Sequence, residues 1–325
     1  MADGQAWIIS DGAAGNERQA LALARALGID ARVLRLDVAA PWRWFAPRLL
    51  AGAGAAMRQR DGTPIGPPWP ALAIGCGRQA ALLTRALGRW AGDACFRVQI
   101  LDPRIDPRAF DRVVAPRHDG ISGPNVITTL GSLNPVDAAW LAEGRLRFAT
   151  LGDLPAPRTT VLFGATNAAQ RLDAGYVDAL LARLAAAHAR EGGSFLVSTS
   201  RRTPAGLARH LRGAFARWPG VFWGGAGDGP NPYAGLLAWA TRIVVTPDSV
   251  NMLSEACASD ATACTFATQP IGGKFAGLNA ALVAADHLCD LDAALAGATT
   301  VPLRETAGVA SVIAGAFAAA RLHPR

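Results

Sequence analysis

Thr199-Ser200-Arg201-Arg202-Thr203-Pro204 sets two guanidinium groups among hydroxyls at the expected end of a strand. An arginine fork matches phosphate oxygens bidentately. Pro204 suits the first turn of a helix, and a helix N-terminus adds ~0.3–1 kcal/mol of attraction for an anion. Phosphate binding through Ser200, Arg201, Arg202 and Thr203 is the chemistry that fits; a solvated surface turn would use the same residue types.

Two longer segments extend the pattern. Trp223-Gly224-Gly225-Ala226-Gly227-Asp228-Gly229-Pro230-Asn231-Pro232-Tyr233 is rich in glycine, which lets backbone wrap a flat base without steric cost. Gly225 represents that freedom, and Asn231 and Tyr233 would supply a hydrogen bond and stacking. Thr246-Pro247-Asp248-Ser249-Val250-Asn251-Met252-Leu253-Ser254-Glu255-Ala256 follows. Asp248 and Ser249 stand where a helix begins, with donors aimed at phosphate, and Asn251 falls in its first turn. Glu255, about two turns on, would reach a ribose hydroxyl pair. Asp248 or Ser249 also makes a good N-cap without any ligand.

Two smaller features have the same flavour. Phe163-Gly164-Ala165-Thr166-Asn167 ends a strand, and Gly164, Thr166 and Asn167 suit contact with a pyrophosphate. Lys274 follows two glycines and is the only lysine in the chain; it would serve as a point charge for a donor phosphate.

The amino-terminal half offers a glycine turn and several carboxylates. In Ser10-Asp11-Gly12-Ala13-Ala14-Gly15-Asn16-Glu17, Gly12 and Gly15 allow close approach of a ligand to the backbone at a helix start. The spacing is not the G-x-G-x-x-G of dinucleotide sites, and a plain βα turn is the alternative. A hydroxyl acceptor would need a general base. The candidates are Asp11, then His118, then Asp102, all at expected strand ends, where they would equally serve as caps or turn residues.

The elements that must position these groups alternate β and α, the signature of parallel sheets covered by helices. Strands are expected at Ala6 to Ser10, Arg32 to Leu36, Leu72 to Cys76, Phe96 to Leu101, Arg112 to Ala115 and Val126 to Thr129. Proline and glycine between Phe148 and Arg158 mark a linker. The alternation restarts with strands at Thr160 to Phe163, Phe195 to Thr199, Val221 to Trp223, Ile243 to Thr246 and Ala263 to Phe266. The expected fold is α/β, with two Rossmann-like domains facing a cleft: 1–150 on the acceptor side and 151–325 on the donor side. A closing helix near Val309 to Arg321 would pack back on the first domain.

Several of these stretches together look like one family. Ser10-Asp11-Gly12 through Gly15-Asn16-Glu17-Arg18-Gln19-Ala20, Gly75-Cys76-Gly77-Arg78, Thr199 to Pro204 and Thr246 to Ala256 resemble the ELM-type mitochondrial fission family. Its bacterial members are regarded as candidate GT-B glycosyltransferases, and its plant members help recruit fission machinery to mitochondria. The resemblance implies a nucleotide-sugar site mainly in the second domain, with the acceptor facing the first. Members commonly carry histidine where this chain has Asn16, so that base is absent here.

Composition narrows the partners. The net charge is +7, but the arginines are dispersed and the chain is rich in alanine, glycine and proline, which argues against a nucleic-acid stripe. Five scattered cysteines without C-x-x-C spacing fit reduced thiols in the cytoplasm. No apolar run reaches the ~18–20 residues that span a bilayer, and Met1 to Gln5 lacks a leader pattern. Asp290-Leu291-Asp292 matches a D-x-D metal motif, but capping explains it better, so no metal and no cofactor beyond a nucleoside-diphosphate sugar donor are expected. Trp42, Trp44 and Phe45 lie among Arg43 and Arg48; they suit a bilayer interface or a buried connecting helix. The expected activity is metal-independent sugar transfer to an unnamed acceptor, a lipid-linked or envelope glycan among the options, in the cytoplasm or on the inner face of the membrane. A nucleotide-sugar 2-epimerase and a non-catalytic membrane-associated adaptor are the alternatives on the same fold.

Overall fold

A computed structural model describes residues 6–322; Met1 to Gln5 lie outside the described residues. The chain forms two compact units, Met1–Pro135 with Glu305–Arg325, and Val136–Arg304.

In the first unit, β1 (Ala6–Ser10) is buried at every position, as expected of a strand covered on both faces. Helix α1 (Ala14–Ala26) buries Ala20, Leu23 and Ala24. It ends where Gly28 adopts φ 64° and the Ile29 N–H donates to the Ala24 carbonyl at 3.1 Å, a glycine-dependent helix stop. Next come β2 (Arg32–Val38), the short helices α2 (Trp42–Phe45) and α3 (Ala53–Ala56), β3 (Met57–Gln59), β4 (Leu72–Cys76) and α4 (Arg78–Trp90). β5 (Phe96–Ile100), β6 (Arg112–Pro116) and β7 (Val126–Thr129) complete the sheet. Its order is β3-β2-β1-β4-β5-β6-β7; every pairing is parallel except β2 with β3.

The second unit contains α5 (Ala138–Arg147), β8 (Arg158–Phe163), α6 (Ala174–Glu191), β9 (Ser194–Thr199), α7 (Ala205–Phe215), β10 (Gly220–Trp223), α8 (Tyr233–Ala238), β11 (Arg242–Val245), α9 (Val250–Ala258), β12 (Thr262–Thr265), α10 (Gly273–Ala284), β13 (Cys289–Asp290) and α11 (Leu291–Leu295). The all-parallel order β10-β9-β8-β11-β12-β13 is the Rossmann order. The chain then returns to the first unit as α12 (Thr306–Leu322).

In the first unit, α1 and α12 cover one face of the sheet through Leu23, Ala24, Val309 and Ile313 against Ile8, Ile74 and Val98. The other face packs Leu82, Leu83 and Leu87 of α4 on Trp7, Ile9 and Leu34. In the second unit, Tyr176, Leu180 and Leu184 of α6 cover Val161, Phe163 and Val244. Each such fully buried Leu or Phe contributes about 1.5–3 kcal/mol. All five cysteines are free thiols, and burial pushes Cys95 and Cys257 up to about 12.

The segment read as a linker, Phe148 to Arg158, lies inside the second unit. The chain passes from one unit to the other at Pro135 and Val136 because α5 is fastened to α8. A β-carbon on Gly144 would stand 2.8 Å from the Ala234 carbonyl oxygen, and one on Gly235 2.5 Å from Phe148. Only glycine permits helices that close.

Candidate functional site

In each sheet the strand order reverses beside its first strand, between β1 and β4 in one unit and between β8 and β11 in the other. Open α/β sheets bind ligands outside the carboxyl ends of their strands at such a point.

In the second unit, the loops that leave β8, β9, β11 and β12 are bonded to one another there. Asp248 is the hub. Its carboxylate is fully buried and accepts from the Thr246 hydroxyl at 2.6 Å and the Ala165 N–H at 3.0 Å. The Asn167 side-chain amide donates to the Asp248 carbonyl at 2.8 Å. Thr246 in turn accepts from the Gly164 N–H at 2.9 Å, and Thr203 donates to the Gly164 carbonyl at 2.6 Å. Arg202, 63% exposed at its side chain, places one guanidinium nitrogen 3.6 Å from the Asp248 carboxylate. Burial raises the Asp248 carboxyl above the ordinary aspartate range, against the Thr246 and Ala165 hydrogen bonds and the Arg202 charge, which favour the ion. The loop after β12 joins through the Gly272 N–H, which donates to the Ala169 carbonyl at 2.9 Å. Exposed Lys274 lies two residues farther on, in the first turn of α10.

These placements separate residues that face solvent from residues that build the loops. Arg201, Arg202 and Lys274 are exposed. Asp248 was expected to aim donors at phosphate; its side chain is instead an internal acceptor for neighbouring loops. Thr166 accepts from the Leu172 N–H at 2.9 Å and so closes its own loop. Ser200 accepts from the Arg202 N–H at 3.2 Å, shaping the turn that presents both arginines. Ser249 caps α9 by accepting from the Met252 N–H, and Asn251 is half-buried in the first turn.

Farther along α9, Glu255 is buried and accepts from the Tyr233 hydroxyl at 2.5 Å. Tyr233 therefore meets the carboxylate expected to reach a ribose. Asn231 accepts from the Tyr233 N–H at 3.0 Å, a turn bond at the head of α8. The glycine-rich loop is tied internally as well. Asp228 accepts from the Gly224 N–H at 2.7 Å and from Arg212 at 2.6 Å, and these bonds hold its carboxyl below the usual range. Gly225 lies in that tied loop.

In the first unit, Asp11 follows β1 and accepts from the Ala13 N–H at 2.9 Å and the Asn16 amide at 3.3 Å, both at Oδ1. α1 begins at Ala14, so Gly15 belongs to its first turn. Gly12 has φ 79°, and a β-carbon there would lie 2.6 Å from the Arg60 guanidinium. Arg60 also donates to the Asp11 carbonyl at 2.9 Å. It follows β3, a strand too short to show in the sequence pattern, so its place over the opening loop had no local signal. Asp102 is a turn residue, accepting from the Arg104 N–H at 2.7 Å and pairing with its guanidinium at 3.1 Å. His118 is largely buried, with Nε2 3.8 Å from Asp119. Asp290 caps α11 and Asp292 pairs with Arg183, so the D-x-D carboxylates have structural partners.

Of the two expectations for the aromatic segment, an interface or a buried helix, Trp42 fits the second and its neighbours the first. The Trp42 indole N–H donates to the Ala51 carbonyl at 2.8 Å, and its half-buried ring packs against the core. Trp44 and Phe45 are exposed. A cavity of about 600 Å³ lies at the amino ends of β4, β5 and β6, lined by Arg97, Asp111, Arg112 and Phe317 among others; none of the expected site residues lines it. No helix among the described residues is long and apolar enough to cross a membrane.

Residues 14–317 match the family model described as Mitochondrial fission ELM1. The chain belongs to this family. It is 31% identical over 224 residues to Mitochondrial fission protein ELM1 of Arabidopsis thaliana, covering 58% of this chain and 50% of that one. The chain thus spans about half the length of that curated relative. Among solved structures, UDP-N-acetylglucosamine 2-epimerase from Rickettsia bellii is similar with a TM-score of 0.54 at 12% identity, covering 99% of this chain and 96% of that one. A variant of Os79 from O. sativa in complex with UDP gives 0.52 at 14%, covering 94% and 90%. The glycotransferase of kitacinnamycin gives 0.51 at 13%, covering 98% and 94%. The fold of this ELM-family chain is of the GT-B type.

Proposed function

We propose that the second unit holds the diphosphate of a nucleotide-sugar donor and that the chain transfers the sugar to an acceptor hydroxyl. The observation that carries this reading is the cluster around Asp248, which has the exposed Arg202 guanidinium 3.6 Å from its carboxylate beside the head of α9. Arg201 and Arg202, and Lys274 at the head of α10, would offset the charge that builds on a leaving diphosphate, so side chains supply the electrostatic stabilisation. Glu255 and Tyr233 would together meet the ribose hydroxyls. In the first unit, Asp11 keeps Oδ2 for the acceptor proton, since both of its side-chain hydrogen bonds fall on Oδ1. Other GT-B proteins support the donor class: the similar Os79 variant was solved with UDP.

Titration calorimetry with nucleoside diphosphates and their sugars tests the site. Arg201→Ala and Glu255→Ala should each weaken binding by about tenfold or more, the scale of one lost charged hydrogen bond. Unchanged affinity in both variants refutes the site.

A second reading has its own support, the similarity to a UDP-N-acetylglucosamine 2-epimerase. Product analysis with donor alone separates the two, because an epimerase converts the donor without an acceptor. The family description leaves an adaptor as the non-catalytic reading, and absence of binding across the nucleotide-sugar panel would favour it.

A further inference from the structure

The segment that joins β2 to β3 and the helix beneath it make a surface that the donor site does not use. α2 is a single turn, with successive side chains about 100° apart. Trp42 faces inward, bonded to the Ala51 carbonyl and packed against the core. Trp44, about 200° farther around, is therefore turned outward. It is 64% exposed and Phe45 56%. Two neighbouring exposed aromatics on a short helix are unusual for a water-facing surface.

The backbone behind them is held firmly. Arg78 donates to the Trp44 and Ala46 carbonyls at 3.0 and 3.3 Å. Arg85 donates to those of Pro47 and Arg48 at 2.8 and 3.1 Å. Trp90, itself partly exposed, packs over Gly54. The aromatics are thus carried on a rigid platform formed with α4.

Charge identifies the occupant. Arg43, Arg48 and Arg89 lie on the two segments that carry the aromatics and Trp90, and no acidic residue falls within 38–60 or 77–92, which Asp37, Asp61 and Asp93 bound. Arg43 and Arg48 flank the aromatic pair and are exposed, and Arg89 of α4 is exposed as well. Interfacial rings sit at the level of lipid headgroups, and clustered arginine is drawn to an anionic leaflet. Stable attachment takes two signals, an inserted apolar group and a basic patch, and this face supplies both.

We infer that the first unit docks on the surface of an anionic lipid bilayer, inserting Trp44 and Phe45 while Arg43, Arg48 and Arg89 meet the headgroups. The inference stands apart from the donor reading, since vesicle binding requires no nucleotide.

The test is co-sedimentation of the full chain with phosphatidylcholine vesicles, either pure or containing roughly a third phosphatidylglycerol, the anionic lipid that should attract the arginines. The chain should bind the anionic vesicles and largely ignore the neutral ones. Trp44→Ser with Phe45→Ser should lower the partition coefficient by about tenfold or more. Arg43→Gln with Arg48→Gln should lower it by about fivefold for each charge removed and weaken its dependence on salt. Melting temperatures of both variants establish that the fold is kept, and the arginine variant stands alone if the aromatic one fails to fold. Absence of wild-type binding, undiminished binding by either folded variant, or equal binding to neutral vesicles overturns the inference. So does a dimer in sedimentation velocity that the aromatic substitutions dissolve, because the face would then join two copies of the chain.

Discussion

A β-carbon placed on Gly164 would overlap both carboxylate oxygens of Asp248. The absence of a side chain at the end of β8 is what lets a buried carboxylate stand between two loops and accept hydrogen bonds from each. Gly164→Ala should therefore destabilise the chain by about 1–3 kcal/mol, the range for overpacking, read by urea unfolding. Combining it with Asp248→Ala removes the clash, so the two losses should be less than additive. Full additivity would show that the two residues do not compete for space.

The raised carboxyl of Asp248 gives a pH signature. Folding raises its pKa above the ordinary value of 3.8, so the folded chain binds this proton more tightly than the unfolded one. Its contribution to stability is complete below the ordinary value and is lost as pH rises through the folded value. Melting temperatures followed from acid toward neutral pH should show a decline in the wild type that is absent in Asp248→Asn. A parallel pair of curves would contradict the buried placement.

Tyr233 offers a cleaner deletion. Phenylalanine keeps the ring and removes the hydroxyl that donates to buried Glu255 at 2.5 Å. Weakening the satisfaction of a buried carboxylate costs about 1–3 kcal/mol. The melting temperature of Tyr233→Phe should fall accordingly, and nucleotide affinity should fall with it if the pair meets the ribose. A loss of stability with full affinity would assign the pair to structure alone.

Trp42 and Trp44 should behave oppositely despite their spacing. Trp42→Ala removes a half-buried ring and its bond to the Ala51 carbonyl and should cost about 1–3 kcal/mol. Trp44→Ala should stay within about 0.5 kcal/mol of the wild type, as for other surface sites. Chemical denaturation of both variants checks the contrast.

The main strands were legible because buried parallel strands read as short apolar runs: β1, β4 and β7 span the residues expected of them. β3 and β13 escaped, being three and two residues long, too short for a period to register. The site divides in a similar way. Arg201 and Arg202 are exposed in the loop after β9, and Lys274 is exposed in the first turn of α10. A sequence cannot show that Asp248 turns inward, because that depends on the space left by Gly164 and the hydroxyl of Thr246, both more than one residue away in the chain. Nor can it reveal Arg60, which reaches the opening loop from a position 49 residues beyond Asp11. The helical turn at Trp42 is the subtler case: three aromatics look alike in a string, and only the Ala51 carbonyl decides which one is internal.

Arg78 is the first residue of α4 and also the donor that grips the Trp44 and Ala46 carbonyls. The preceding residue, Gly77, stands so near Asn16 that a β-carbon there would come within 2.5 Å of its amide. One guanidinium thus serves as a mechanical tether between the outward aromatics and the mouth of the β1–β4 strand gap. A substitution at position 78 would therefore loosen the backbone beneath the rings and alter the first turn of α4 together.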